Sequence, residues 1–173
     1  MKPAIYTKIF YSIPLGWALY VGQKMQNLSK LDIALVQLER AIVLALDDSD
    51  FISAVTLAGA SEEILGSLLN LEDRQSSYLG LKRMLDYVHE SVRAEKLSDK
   101  EFNFLANAVR NHFKHHCNEE MIEVEPEQEA CNMIHRAISN YISLGHEHTK
   151  TMKRWLNECH LSPMYPIGEL YNK

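Results

Sequence analysis

Residues 108–117, AVRNHFKHHC, bring Arg110, Asn111, His112, Lys114, His115, His116 and Cys117 into one short run. An arginine can hold a phosphate through two parallel hydrogen bonds. A histidine can take or give a proton near neutral pH. Three chemistries compete for these residues. A metal site would use His112, His115 and His116, but they fall on two faces of a helix, and no nearby Asp or Glu completes a four-ligand set. No metal is therefore expected here. A Cys–His nucleophilic pair through Cys117 is weaker, because a thiol is reactive only where its surroundings favour the thiolate. Phosphate chemistry uses the run best: Arg110 holds the phosphate, His115 transfers a proton and Asn111 orients either. Those are the parts needed for metal-independent RNA cleavage, in which a 2′-hydroxyl attacks its own phosphodiester.

The element that must position these groups is a helix. Ser98 and Glu101 form a capping-box pattern at its start. Wound at about 100° per residue, Phe102, Leu105, Val109, Phe113 and His116 share a core-facing arc toward which His112 also leans. Asn103, Asn107 and Asn111 recur in steps of four on the other side, and His115 continues the row. Arg110 and Lys114 flank it. Arg110 and His115 point about 140° apart in an ideal helix, so a shared target needs an irregular helix or a broad cleft. Three asparagines are poor helix formers. The row reads as a hydrogen-bonded interface or polar cleft, with a plain solvated face as the alternative.

Around this helix the remaining periodicity is helical too. Ser29 caps a segment in which Leu31, Leu35, Leu38, Ile42 and Leu46 recur at three and four. Asp47-Asp48-Ser49-Asp50 breaks it and caps FISAVTLAGASEEILGSLLN. That second helix carries a stripe of Thr56, Gly59, Ala60, Glu63, Gly66, Ser67 and Asn70, which predicts close approach of a neighbouring backbone. Glu62 shares a face with Val55, Leu65 and Leu69, so it needs a cationic or hydrogen-bonding partner. We take Glu62 or Glu63 as the partner of Arg110, with Asn107 and Lys114 as further supporting residues.

Residues 71–76 read as a polar connection, and 77–97 as a third helix with Leu81, Met84, Leu85 and Val88 inward. Residues 118–130, rich in glutamate, read as a solvated connection. A helix follows over roughly 127–145, with Met133, Ile134, Ala137, Ile138, Tyr141 and Ile142 inward. A shorter helical piece surrounds Trp155. The expectation is an all-α, up-and-down bundle of about five helices spanning 29–146, followed by a short helix and tail over 147–173.

Composition agrees with such a domain: 173 residues, 46% hydrophobic and 24% charged, are enough to bury one core. A net charge of −5 argues against broad charge-driven nucleic-acid binding while leaving room for a local basic cleft. Cys117, Cys131 and Cys159 show no CxxC pairing and read as small buried hydrophobes in a reducing, cytoplasmic setting. Residues 1–28 are read as an N-terminal extension that is not native or is poorly ordered. Its apolar stretch, residues 9–22, is shorter than the ~20 residues of a membrane span, so no stable membrane insertion is expected. No small-x-small cleavage pattern follows it. Met25 is read as the natural start, with a docked N-terminal segment as the alternative.

Arg110-Asn111-His112-Phe113-Lys114-His115 resembles the R-x4-6-H motif of the HEPN superfamily (higher eukaryotes and prokaryotes nucleotide-binding domain), including the asparagine after the arginine. The helix LAGASEEILGSLL resembles one found in members of this group. The resemblance covers about residues 29–146. It implies a small helical bundle forming a homodimer, with its two motifs facing one cleft. It also implies a metal-independent endoribonuclease of toxin or defence type. Arg110 would then stabilise phosphate, His115 transfer the proton and Asn111 support both, with no cofactor. RNA would be the substrate and a cognate antitoxin or other protein a partner. Many HEPN-like proteins are inactive, which keeps open a non-catalytic helical interaction module that binds a protein or nucleotide.

Overall fold

A computed structural model describes residues 26–93, 95–114 and 121–161. Six helices and no strand are found among the described residues: α1 (Lys30–Asp47), α2 (Phe51–Leu71), α3 (Ser77–Arg93), α4 (Asp99–Lys114), α5 (Pro126–Ser143) and α6 (Lys150–Glu158). The reading of the N-terminal segment lies outside the described residues, as do His115, His116, Cys117 and the tail beyond residue 161.

Local chemistry sets most helix ends. Ser29 accepts from the Asp32 amide while the Asp32 carboxylate accepts from the Ser29 amide, a reciprocal cap that satisfies two otherwise orphaned donors. Asp50 caps α2 through the Ser53 amide at 3.1 Å. Ser98 and Glu101 make the reciprocal bonds their spacing predicts, and α4 follows. Proline at the first turn of α5 starts that helix inside the stretch read from sequence as a connection. The helix ends at Ser143 with Leu144 as its C-cap, and Gly145 takes φ 90°, a left-handed conformation that glycine reaches without strain.

The core lies where α2 packs between α1 and α5. Leu38 and Ile42 of α1 meet Val55 and Leu65 of α2 and Ile134 and Ile138 of α5, all fully buried. Each such side chain contributes roughly 1.5–3 kcal/mol relative to exposure. Met133, Ala137 and Tyr141 are inward as their period predicts, whereas Ile142 is only half-buried. Although sequence groups α6 with the tail, it adds Met152 and Trp155 to the same core. The Arg154 guanidinium meets both oxygens of Asp47 at 2.9 and 2.6 Å, fixing the angle at which α6 approaches α1.

Helices α3 and α4 form a looser outer layer, against expectation. Of the predicted apolar face of α3, only Leu81 is buried, and Val88 is exposed. Of the predicted core arc of α4, only Phe102 is buried, Val109 and Phe113 are half-buried, and Leu105 is exposed. The physical reason is competition for α2, whose apolar surface is already occupied by α1 and α5. Helix α2 is also the one described helix long and apolar enough to cross a membrane by length and composition, and half of it is buried inside the bundle.

One charged pair is buried with the core. Arg136 Nη2 donates to Glu62 Oε1 at 2.9 Å, both side chains being 5% exposed. The second arm of Arg136 donates to the Ala106 carbonyl at 3.3 Å, and the Ser77 hydroxyl donates to Glu62 at 3.4 Å. Asn140 donates to the Glu62 carbonyl and accepts from the Ser77 amide. Removing one member strands the other in a dry site, so Arg136→Met alone should cost about 3–5 kcal/mol. Adding Glu62→Leu to that variant should restore a large part of the loss. Urea unfolding of the two single variants and the double variant measures this, and equal, additive losses would show that the two side chains act independently.

Candidate functional site

Four helices contribute to the polar region around the α4 motif. Arg110 leaves α4 toward α2, where Gly59 lacks the side chain that would block it. A Cβ on Gly59 would stand 2.4 Å from Arg110 Cδ. The small-residue stripe of α2 therefore admits side chains, not the neighbouring backbone its sequence predicts. Gly59 receives Arg110, and Gly66 receives Asn140 and Ser76.

Across this notch Arg110 Nη1 reaches the Gly59 carbonyl at 3.2 Å and Glu63 Oε2 at 3.4 Å. The Arg110 side chain is 13% exposed while that of Glu63 is 66% exposed, so the ion pair sits at the rim. An exposed carboxylate contributes little stability by itself. Arg110 Nε is buried with no hydrogen-bond partner among the described residues. Of the two carboxylates offered as partners for Arg110, Glu63 stands beside it and Glu62 is engaged by Arg136 instead.

Lys114 follows Arg110 by one turn on the same helix. Desolvation first, and then the charge of Arg110, lower its pKa, with Glu63 acting in the opposite direction. Lys114 nevertheless remains on the exposed side of the helix, so the two cations share one edge. His112 is half-buried. His115, the expected proton-transfer group, lies outside the described residues.

The asparagine row divides. Asn107 donates to the Tyr78 hydroxyl at 3.4 Å, and that hydroxyl donates in turn to Asn103. Tyr78 also packs its ring at 4.8 Å from Phe102 and lies under the Arg136 guanidinium at 5.5 Å. Burial raises the Tyr78 pKa, against a smaller opposing effect of the Asn107 hydrogen bond, so the phenol stays protonated and able to donate. Asn103 and Asn107 thus join α4 to α3, while Asn111 is exposed beyond that interface.

Sequence reasoning missed Arg136 and Asn140, which together with Ser77 hold Glu62. The available signal was Glu62 itself, a carboxylate among Val55, Leu65 and Leu69 that had to find a buried donor. Arg136 and Asn140 are one turn apart on α5, which packs along α2. No family model, curated protein or solved structure matches the chain.

The notch at Gly59 gives a quantitative expectation. Alanine in a helix is favoured over glycine by about 1 kcal/mol. In an Arg110→Ala background, Gly59→Ala should stabilise the chain by about that amount. With Arg110 present, the same change must push the arginine out of the notch, and the gain should vanish or reverse. Chemical denaturation of the four variants in this cycle reads the difference. Identical effects in both backgrounds would exclude the contact.

Proposed function

We propose that the chain is an HEPN-like, metal-independent endoribonuclease in which Arg110 binds the scissile phosphate, His115 transfers the proton and Asn111 supports them. The observation that carries this reading is the basic edge at the end of α4. In a chain of net charge −5, Arg110 and Lys114 stand one turn apart, with the guanidinium aimed by Gly59 and Glu63. A pre-aimed cation loses little freedom when phosphate arrives, which favours charge developing on the phosphate oxygens. In the reaction the 2′-oxygen forms a bond to phosphorus as its proton passes to a base. The bond from phosphorus to the 5′-oxygen breaks as that oxygen takes a proton from a general acid, leaving a cyclic phosphate and a 5′-hydroxyl.

The exposed apolar residues of α3 and α4 support a second copy as partner. Val88, Val92, Phe104 and Leu105 are exposed large hydrophobics beside a groove of about 480 Å³ on the layer that carries the motif. The same face favours the second reading, a non-catalytic module that binds a protein such as a cognate antitoxin. RNA cleavage separates the two. In the presence of EDTA, the wild-type chain should cut RNA. Arg110→Ala and His115→Ala should each lower the rate by at least about 100-fold while leaving the helical circular-dichroism signal intact. A wild-type chain that cuts no RNA, or variants as active as wild type, would transfer the function to the interaction module.

A further inference from the structure

A second cluster of reactive side chains lies away from α4, where α5 meets the end of α6. Cys131 and His135 are one turn apart on α5, and Cys159 follows the last residue of α6. The two sulfurs and one imidazole nitrogen all lie within 4.8 Å of one another. From this geometry we propose that Cys131, His135 and Cys159 bind a zinc ion.

Separation distinguishes this from a disulfide. The Cys131 and Cys159 sulfurs stand 4.0 Å apart. Two thiolates bound at ~2.3 Å to one tetrahedral zinc ion are roughly 3.8 Å apart, whereas a disulfide needs ~2.05 Å. Both thiols also converge on one acceptor, the Leu161 carbonyl, at 3.7 Å for Cys131 and 3.5 Å for Cys159. Two soft donors and an imidazole suit zinc better than magnesium or calcium, which prefer oxygen.

A second observation comes from the histidine. His135 is only 4% exposed, and its Nδ1 is buried with no hydrogen-bond partner among the described residues. A polar nitrogen taken from water without a partner costs free energy, and this one belongs to the cluster's own imidazole. Its ring is held edge-on against Trp155 at 6.0 Å, which limits its rotation. A cavity of about 490 Å³ adjoins Cys159 and is lined by Glu127, Trp155, His160 and Leu161. It leaves an entry path for the ion on the Cys159 side of the cluster. On binding, both thiol protons pass to solvent and zinc joins α6 to α5.

Cobalt(II) replaces zinc in such sites and reports thiolate ligation directly. Titrated into the reduced, metal-stripped full chain, it should bind at one ion per chain with a thiolate-to-cobalt charge-transfer band, which zinc abolishes by displacement. Cys159→Ser, at a half-buried position beyond α6, should weaken cobalt binding by at least about tenfold and diminish the band. Cys131→Ser should do the same, while Cys117→Ser should leave the band unchanged. Circular dichroism on each variant confirms that the helices remain. Absence of the band in the wild-type chain overturns the proposal, as does a band that survives both Cys131→Ser and Cys159→Ser or is lost in Cys117→Ser.

Discussion

Glu62 is buried in the bundle against Arg136, and four helices meet at that pair. The carboxylate comes from α2, the guanidinium from α5, and a hydroxyl from the start of α3, while the second arm of the arginine reaches a carbonyl of α4. Asn140 closes the network by linking the α2 backbone to the first amide of α3. Apolar packing alone would leave α2 many nearly equivalent rotations, since it is hydrophobic on more than one side. A buried carboxylate has far fewer acceptable positions, because every wrong rotation leaves a charge in a dry site.

Two kinds of adhesion therefore coexist in the molecule. Helices α1, α2, α5 and α6 share a continuous apolar core, while α3 and α4 bury only Leu81 and Phe102 among their large hydrophobics. What seats the outer pair is polar: the Tyr78 contacts with Asn103 and Asn107, the Arg136 bond to Ala106, and Lys82 between Asp86 and Asp99. Layers held this way separate at lower free energy than a packed core does. Helix α4, which bears Arg110, therefore belongs to the less tightly packed layer of the bundle, while α5 belongs to its core.

The sequence was legible where one local rule decided the outcome. Ser29, Asp50 and the Ser98–Glu101 pair marked helix starts because capping depends on a few adjacent residues. The inward positions of α5 followed from their period. Periodicity failed for α3 and α4 because an amphipathic pattern states which face is apolar without stating whether a neighbour is free to cover it. It also could not separate Glu62 from Glu63, adjacent in the chain yet differing completely in burial, since their partners come from different helices. The cysteines read as small hydrophobes for the same reason. Cys131 and Cys159 are far apart in sequence, and only the docking of α6 places their sulfurs together.

Gly59 carries a consequence for reading related chains. The direction taken by Arg110 is decided by a missing methyl group on another helix, more than by anything inside the six-residue motif. A chain that keeps Arg-Asn and a histidine at the same spacing sends its arginine outward if a larger side chain fills the notch. Pattern matching on the motif would group the two together. Covariation between this notch and the arginine would separate them, making a residue without a side chain the more discriminating letter of the signature.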